Sequence, residues 1–209
     1  MNKNRATEVF NEWAQNGKDQ GMQKNHFESY KHIKKIIQKE TDISKKASFA
    51  DIGCGNGWAT EDIFKESFVS EAYGYDGAPK MIENALKNTE GPMFFQADLN
   101  NWNPNKKFDI IYSMEVLYYL DSPEQFINEC YNKWLNPNGL FIAGIDHYEE
   151  NPQSLSWSED LNVSMKTKKI EEWKKALINS GFNNVGACQV NQNKDWKGTL
   201  IFWGKTNSL

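Results

Sequence analysis

Short apolar runs alternate with segments of helical spacing over most of this sequence. The predicted strands are Ala47–Ile52, Phe68–Tyr75, Pro92–Gln96, Phe108–Ser113 and Leu140–Ile145, and the predicted helices are Trp58–Lys65, Pro79–Lys87, Ser122–Leu135 and Thr167–Ser180. Apolar strands joined by helices are typical of a parallel sheet that is covered on both faces, which is a doubly wound α/β fold. Two further strands, Val185–Val190 and Thr199–Gly204, are joined by a short polar link, and this predicts an antiparallel pair.

A separate helical segment, residues 1–44, precedes the sheet-forming core of residues 45–209 within one predicted domain. Two amphipathic helices, Asn4–Gln15 and Lys24–Lys39, flank a hinge at Gly17–Gly21. We interpret this segment as a lid that closes over a site and excludes water. The side chains available for closure are Trp13, Met22, His26 and Tyr30. The alternative is a pair of helices that only cover the sheet.

Charge and cysteine usage exclude several classes of function. The net charge is −4 and the basic residues are spread along the chain, whereas nucleic-acid binders usually gather a basic excess on one face. Cys54, Cys130 and Cys188 lack the spacing of a disulfide framework or a zinc site, so we expect no metal. With no apolar run of membrane-spanning length and no secretory signal, we expect a cytoplasmic protein that is a monomer or a homodimer.

The strongest local motif runs from Phe49 to Gly57, where the carboxylate of Asp51 precedes three glycines at alternate positions: Gly53, Gly55 and Gly57. Glycine permits close approach of the backbone to a ligand. The dinucleotide pattern GxGxxG would need glycine where this chain has Trp58, and Asp51 would repel a pyrophosphate. The motif therefore favours a cationic ligand over a dinucleotide. The alternative is a tight turn that only packs the strand against the next helix.

Two further acids follow the next predicted strands. Asp76 stands where an acidic residue commonly accepts from two ribose hydroxyls, although it could instead cap the helix near Pro79. Asp98 could accept from an adenine amino group, with Leu99 against the ring, or it could simply face solvent in a turn.

These motifs together resemble the class I S-adenosylmethionine (SAM)-dependent methyltransferases, in their small-molecule branch. The matching stretches are Asp51–Gly57, Asp76-Gly77 ahead of Lys80–Ile82, Ala97–Leu99, Phe108–Leu117 and Leu135–Leu140, and the resemblance covers roughly residues 45–205. It implies a Rossmann-like, seven-stranded, mostly parallel sheet whose last strand is antiparallel and lies beside the fifth. It also implies SAM as the cofactor and methyl transfer to a small-molecule acceptor.

The resemblance also implies roles for individual residues. Asp51 and the backbone of Gly53, Gly55 and Gly57 would hold the methionine end of SAM, Asp76 the ribose, Asp98 and Leu99 the adenine, and Ser113 and Met114 would lie beneath the methionine portion. Asn138 departs from the family pattern, in which a glycine or a charged residue is usual at this place in the turn.

Methyl transfer from a sulfonium needs alignment and exclusion of water, and it needs a general base only when the acceptor must lose a proton. The candidate catalytic residues follow the fourth and fifth strands: His147 as a base, together with Glu115 and Tyr118. Alternatively, His147 is a surface histidine, Glu115 caps a helix and Tyr118 belongs to the core. The rival functions are a nucleotide-dependent oxidoreductase, an RNA or protein methyltransferase, and a SAM-binding protein without catalysis.

Overall fold

A computed structural model describes residues 3–208 and contains one seven-stranded sheet. The strands are β1 Ala47–Ile52, β2 Val69–Asp76, β3 Met93–Gln96, β4 Phe108–Met114, β5 Leu135–Ile145, β6 Asn183–Val190 and β7 Thr199–Lys205. Their order is β3-β2-β1-β4-β5-β7-β6, and β7 runs antiparallel to both of its neighbours. The predicted Rossmann-like sheet, with its last strand antiparallel beside the fifth, is confirmed.

Seven α-helices accompany this sheet within residues 3–208. They are α1 Ala6–Gln15, α2 Gln20–Glu40, α3 Trp58–Phe64, α4 Pro79–Asn88, α5 Pro123–Glu129, α6 Trp157–Asp160 and α7 Ile170–Ser180. Pro79 and Pro123 each occupy the first turn of their helix, where the missing N–H is not needed. Gly181 ends α7 in a left-handed conformation at φ +104°, as its place after the apolar pattern predicts.

The core has two layers because both faces of the sheet are covered. On one face, α5 and α7 pack against residues such as Ile111 and Phe141, and the Trp173 ring stacks on Phe202 at 5.3 Å. On the other face, α2 and α3 cover β1 and β4, and the Phe49 ring stacks on Tyr112 at 5.7 Å. All six residues of β1 are buried, as expected for a central strand that reads apolar.

The predicted helix Ser122–Leu135 and turn Asn136–Gly139 differ from the structure. The α-helix ends at Glu129 and continues as a π-helical turn, Cys130–Trp134, after which β5 begins at Leu135. The predicted turn is an irregularity inside this strand: Phe108 pairs with Leu135 but Ile110 pairs with Leu140, and Asn138 has a φ of +60°. The turn residues are thus present, but the chain keeps pairing with β4 on either side of them.

The insert between β5 and α7 is folded against the domain. It contains α6 and a 3₁₀ turn, Pro152–Ser154. The Tyr148 side chain is buried and donates a 2.9 Å hydrogen bond to the carbonyl of Gly198. Lys166 also donates a 2.7 Å backbone hydrogen bond to the carbonyl of Tyr118, which holds the insert beside the loop after β4.

The length and the apolar character of the helices bear on membrane insertion. Within residues 3–208, none of them combines the length and the apolar character that a bilayer crossing requires.

Candidate active site

The glycine turn after β1 depends on three positive φ angles, +79° at Gly53, +54° at Gly55 and +84° at Gly57. The N–H groups of Gly53 and Cys54 both donate to the carbonyl of Tyr75, at 2.7 and 3.0 Å. These bonds fix the turn against the end of β2. The turn therefore lies at the carboxyl edge of the sheet, where ligands bind in doubly wound folds.

Val116, in the loop after β4, packs directly on this turn. A Cβ atom at Gly53 would lie 2.0 Å from Cγ2 of Val116, far inside van der Waals contact. Positive φ and close contact therefore both require glycine at residue 53. The contact also places the loop that carries Glu115 beside the glycine turn.

Asp51 is buried at the start of the turn, with 2% of its surface exposed. Its Oδ2 accepts a 2.6 Å hydrogen bond from the hydroxyl of Thr60 in α3. Burial raises the pKa of Asp51 to about 7; the Thr60 hydrogen bond opposes this rise, and the charge of Asp76 adds to it. A cation beside Asp51 would favour its ionised form, whereas an anion would not. The site thus fits a positively charged ligand such as a sulfonium amino acid.

Asp76, the last residue of β2, holds the other side of the turn. Its Oδ2 accepts a 2.9 Å hydrogen bond from the N–H of Gly55, and its Oδ1 accepts one of 2.8 Å from the N–H of Ala78, just before α4. Burial raises the pKa of Asp76, and the two backbone hydrogen bonds oppose this rise. Each carboxylate oxygen retains a second lone pair, so the group can still accept from two ribose hydroxyls.

Asp98 and Leu99 lie farther out, after β3. The Asp98 carboxylate is exposed and caps a 3₁₀ turn by accepting from the N–H of Asn100 at 3.1 Å and from Asn101 Nδ2 at 2.7 Å. Leu99 is half-buried. The contacts of Asp98 therefore agree with the alternative that this residue faces solvent in a turn. Its bond to adenine stays a prediction.

Ser113 and Met114 end β4 beside the glycine turn. Ser113 is fully buried, and its hydroxyl donates a 2.9 Å hydrogen bond to the carbonyl of Ile52 in β1. The hydroxyl of Tyr112 donates to Sδ of Met114 at 3.3 Å. Both residues thus lie at the predicted strand exit, and their contact with the methionine portion of SAM stays a prediction.

Glu115 and Tyr118, two of the predicted catalytic residues, are in direct contact. The Tyr118 hydroxyl donates a 2.8 Å hydrogen bond to Oε2 of Glu115. Glu115 has a φ of +60°, a backbone conformation that is uncommon outside glycine and often found at functional sites. Burial raises the pKa of Glu115 well above its usual range; the charge of Asp146 adds to this rise and the Tyr118 hydrogen bond opposes it.

His147, the predicted base, is fully buried and both of its ring nitrogens are engaged. Nδ1 is 2.9 Å from the carbonyl oxygen of Ser154, and Nε2 is 2.8 Å from Oγ1 of Thr167. Burial lowers the pKa of His147. These contacts hold the insert between β5 and α7 in place, and the predicted role of His147 as a base stays a prediction. Its neighbour Asp146, which follows the fifth strand directly, is the residue that faces Glu115.

The four side chains considered for the lid divide into two pairs. Cε of Met22 would lie 3.1 Å from a Cβ atom at Gly55, so Met22 covers the glycine turn, and Nδ1 of His26 is 3.9 Å from Oδ2 of Asp146. Tyr30, by contrast, is buried against α3, and the Trp13 ring packs on Phe10 at 5.3 Å. One pair thus faces the site and the other holds the helices in place.

Asp19 fastens this helical segment to the site, although sequence analysis did not single it out. Its Oδ2 accepts from the side-chain amides of Asn56, at 3.2 Å, and Asn84, at 3.1 Å, and only 2% of its surface is exposed. A polar residue in a glycine-containing hinge gives no sequence signal for such burial. Sequence analysis also did not single out Thr60. The signal that could have identified it is its place in the first turn of a helix, directly after a glycine turn that an acidic residue precedes.

We expect Asp19→Ala to loosen the N-terminal helices, because the half-buried amides of Asn56 and Asn84 lose the carboxylate that joins them, although Asn56 can still donate to the backbone carbonyl of residue 19. An unsatisfied buried group costs about 1–3 kcal/mol, which corresponds to roughly 5- to 150-fold faster amide hydrogen exchange in α1 and the first half of α2. Gln23→Ala, an exposed position on α2, is the control. Unchanged exchange in Asp19→Ala would show that other contacts hold the segment.

Comparison with known proteins identifies this arrangement. Residues 50–143 match the family described as "Methyltransferase domain". The segment contains the glycine turn, Asp76, Asp98 and the strand end at Ser113 and Met114. This part of the chain matches a methyltransferase domain, and the seven-stranded sheet is the fold of the class I SAM-dependent methyltransferases. S-adenosylmethionine is the cofactor of this family.

Individual relatives agree with this family. The chain is 28% identical over 174 residues to malonyl-[acyl-carrier protein] O-methyltransferase 1 of Ilyobacter polytropus, covering 77% of this chain and 64% of that protein. It spans less than two thirds of the length of the first curated relatives that it matches.

Solved structures share the fold. A methyltransferase in complex with the Trm112 methyltransferase activator of Haloferax volcanii has a TM-score of 0.80 and 24% identity, covering 95% of this chain and 97% of that chain. The N-methyltransferase NodS of Bradyrhizobium japonicum, in complex with S-adenosyl-L-homocysteine (SAH), has a TM-score of 0.63 and 19% identity, covering 84% and 86%.

Proposed function

We propose that this chain transfers a methyl group from SAM to a small-molecule acceptor in the cytoplasm. The observation that carries the proposal is the pair of acids, buried Asp51 and half-buried Asp76, on either side of a turn of three positive-φ glycines. The raised pKa of Asp51 marks a carboxyl group that lacks a compensating cation, and SAM carries positive charge on both its sulfur and its amino group. The free thiols of Cys54, Cys130 and Cys188 suit a reducing compartment.

In the proposed reaction, bound SAM supplies a methyl group on a positively charged sulfur, and the chain holds and orients the reactants. Asp51 and the backbone of the glycine turn bind the amino-acid end, and Asp76 binds the ribose hydroxyls. Asp98 and Leu99 contact the adenine, and Ser113 and Met114 lie beneath the methionine portion. Glu115 and Tyr118 line the acceptor side, and Met22 excludes water from above the turn.

A small acceptor is supported by charge and by the position of the N-terminal helices. The net charge of −4 does not provide the basic surface on which RNA binding depends. Met22 lies over Gly55, and Thr7 Cγ2 would lie 2.5 Å from a Cβ atom at Gly77, so α1 and α2 cover the edge of the sheet where a macromolecule would have to enter.

A second candidate is a methyltransferase that requires an activator protein. It is favoured by the Haloferax volcanii protein, which shares the fold along nearly the whole chain and was solved with the Trm112 activator. This candidate predicts that the chain alone transfers no methyl group and that activity appears when a Trm112 protein is added.

Isothermal titration tests the proposed function. We expect the purified chain to bind SAM and SAH and not NAD, because Asp51 disfavours a pyrophosphate and Trp58 replaces the third dinucleotide glycine. Incubation with methyl-labelled SAM and a metabolite extract should then yield a labelled small molecule. Binding of NAD without SAM would reject the proposal, and SAM binding with no labelled product from any extract would favour a binding protein without catalysis.

A further inference from the structure

A cluster formed by Glu115, Asp146 and His26 lies on the acceptor side of the proposed site, and it has no assigned role. Glu115 directly follows β4 and Asp146 directly follows β5, which are adjacent in the sheet. The N–H of Glu115 donates a 2.9 Å hydrogen bond to the carbonyl of Gly144, which keeps the two strand ends together. One donor or acceptor atom from each of the three side chains lies within 4.8 Å of the others.

Both carboxylates have an unused, buried oxygen. Within residues 3–208, Oε1 of Glu115 and Oδ1 of Asp146 have no hydrogen-bond partner, and only 8% of the surface of Asp146 is exposed. In the same part of the chain, no Lys or Arg forms an ion pair with either acid; the facing base is His26, with Nδ1 3.9 Å from Oδ2 of Asp146. Burial lowers the pKa of His26, which favours the neutral ring, so it adds little positive charge to the cluster.

Two unpaired acids in one buried place are unfavourable unless a cation joins them. Glu115 is next to Val116, which packs on the glycine turn, so such a cation would lie between the proposed methyl donor and the N-terminal helices. This is where the reacting atom of an acceptor must come. An acceptor that carries a carboxylate would be repelled there.

The spacing of the cluster can be compared with that around an ammonium group and around a metal ion. An ammonium nitrogen lies about 2.8 Å from each acceptor, so acceptors at tetrahedral angles are about 4.6 Å apart. First-shell ligands of a zinc ion, at about 2.1 Å, are only about 3.4 Å apart. The 3.9 Å between His26 Nδ1 and Asp146 Oδ2 falls between these two values, and the three atoms all lie within 4.8 Å of one another, so the spacing admits either cation and the position of the cluster beside the proposed methyl donor is what favours an amine.

We propose that Glu115, Asp146 and His26 bind a primary amine and that this amine is the methyl acceptor. This proposal rests on the proposed function and names its substrate class. The ammonium group donates to Oε1 of Glu115, Oδ1 of Asp146 and Nδ1 of His26. One proton passes to a carboxylate oxygen of the pair, and the freed nitrogen lone pair forms the N–C bond. The C–S bond breaks with its electron pair on sulfur, which gives the methylated ammonium and SAH, and the carboxyl proton then leaves to solvent.

The test is titration of the SAH-saturated protein with primary amines of increasing size, from methylamine to tyramine, against the carboxylates acetate and 4-hydroxyphenylacetate. We expect at least one amine to bind, no carboxylate to bind, and the amine affinity to fall at least tenfold in Glu115→Gln and in Asp146→Asn. SAH affinity should change less than threefold in Asp146→Asn, and Glu149→Gln, an exposed acid on the same loop, is the matched control.

A second readout separates ligand binding from a structural role. Both substitutions replace a carboxyl group that has a buried oxygen without a partner and no Lys or Arg beside it, so we expect each to raise the melting temperature of the ligand-free protein, whereas removal of a structural acid would lower it. Binding of carboxylates and of no amine would overturn the proposal. So would binding of Zn²⁺ or Mn²⁺ that is lost in Asp146→Asn while amines fail to bind. Failure of SAH itself to bind would instead reject the proposed function.

Discussion

Gly53→Ala is expected to lower the free energy of unfolding by about 3 kcal/mol and to weaken SAM binding at least tenfold. The added methyl group would lie 2.0 Å from Cγ2 of Val116 in a residue with a φ of +79°. Overpacking typically costs about 1–3 kcal/mol, and left-handed strain in a non-glycine residue adds about 1–2 kcal/mol. In a chain of this length the loss corresponds to a fall in melting temperature of roughly 6–12 °C.

A double variant separates the two causes. Val116→Ala removes the clashing methyl groups, so Gly53→Ala/Val116→Ala should recover the overpacking part of the loss and keep the backbone strain. Gly21→Ala is the matched control, because Gly21 lies in α2 and a Cβ atom there meets nothing within 4 Å. We expect this control to be unchanged or stabilised by up to about 1 kcal/mol. A Gly53→Ala protein with normal stability and SAM affinity would contradict the geometry of the turn.

Asp51→Asn is expected to weaken SAM binding roughly 100-fold at pH 7.5 without destabilising the free protein. Loss of one member of a buried charge pair costs about 2–5 kcal/mol of binding free energy. In the free protein, by contrast, we expect the substitution to raise the free energy of unfolding at this pH. The pKa of Asp51 is raised to about 7, so its contribution to stability is complete below an unfolded pKa of about 4 and is lost as the pH rises through 7. Asparagine removes the cost of the ionised form and can still accept from Thr60.

The same pKa predicts the pH dependence of binding. If SAM pairs with ionised Asp51, the protein must release a proton below pH 7, and the dissociation constant should rise roughly eightfold between pH 7.5 and pH 6. Titration at several pH values measures this slope. It should be clearly reduced in Asp51→Asn, with half-buried Asp76 supplying any remainder, and unchanged in Asp42→Asn, an exposed acid before β1. If the dissociation constant of Asp51→Asn still changed with pH as it does in the unsubstituted protein, another group would be the one that releases the proton.

The central strands were predictable because they give a strong and local signal, whereas the position of the last strand beside the fifth followed only from the family resemblance. β1, β4 and β5 are buried on both faces and therefore read as continuous apolar runs between turn residues. The meeting of Asp51 and Asp76 at one edge of the sheet was predictable for a related reason. Asp51 and Asp76 each stand at the end of a strand, and parallel strands bring such ends to one edge of the sheet.

Features that depend on contacts between distant residues were not predictable. The irregular start of β5 reads locally as a turn, and only its pairing with β4 makes it part of a strand. His147 follows a buried strand as a catalytic histidine would, but the contacts that engage its ring come from Ser154 and Thr167. Similarly, the burial of Asp19 depends on Asn56 and Asn84, whose positions only the folded sheet defines.

The interior position of β7 has a consequence for synthesis of the chain. β7 is the last strand in sequence, yet it separates β5 from β6, so the apolar edge of β5 stays unpaired until residues 199–205 are available. On the ribosome, every strand except β7 emerges before that edge can be covered, and an exposed apolar strand edge promotes aggregation. We therefore expect nascent chains stalled before residue 199 to remain incompletely folded and to need chaperones, however stable the finished protein is.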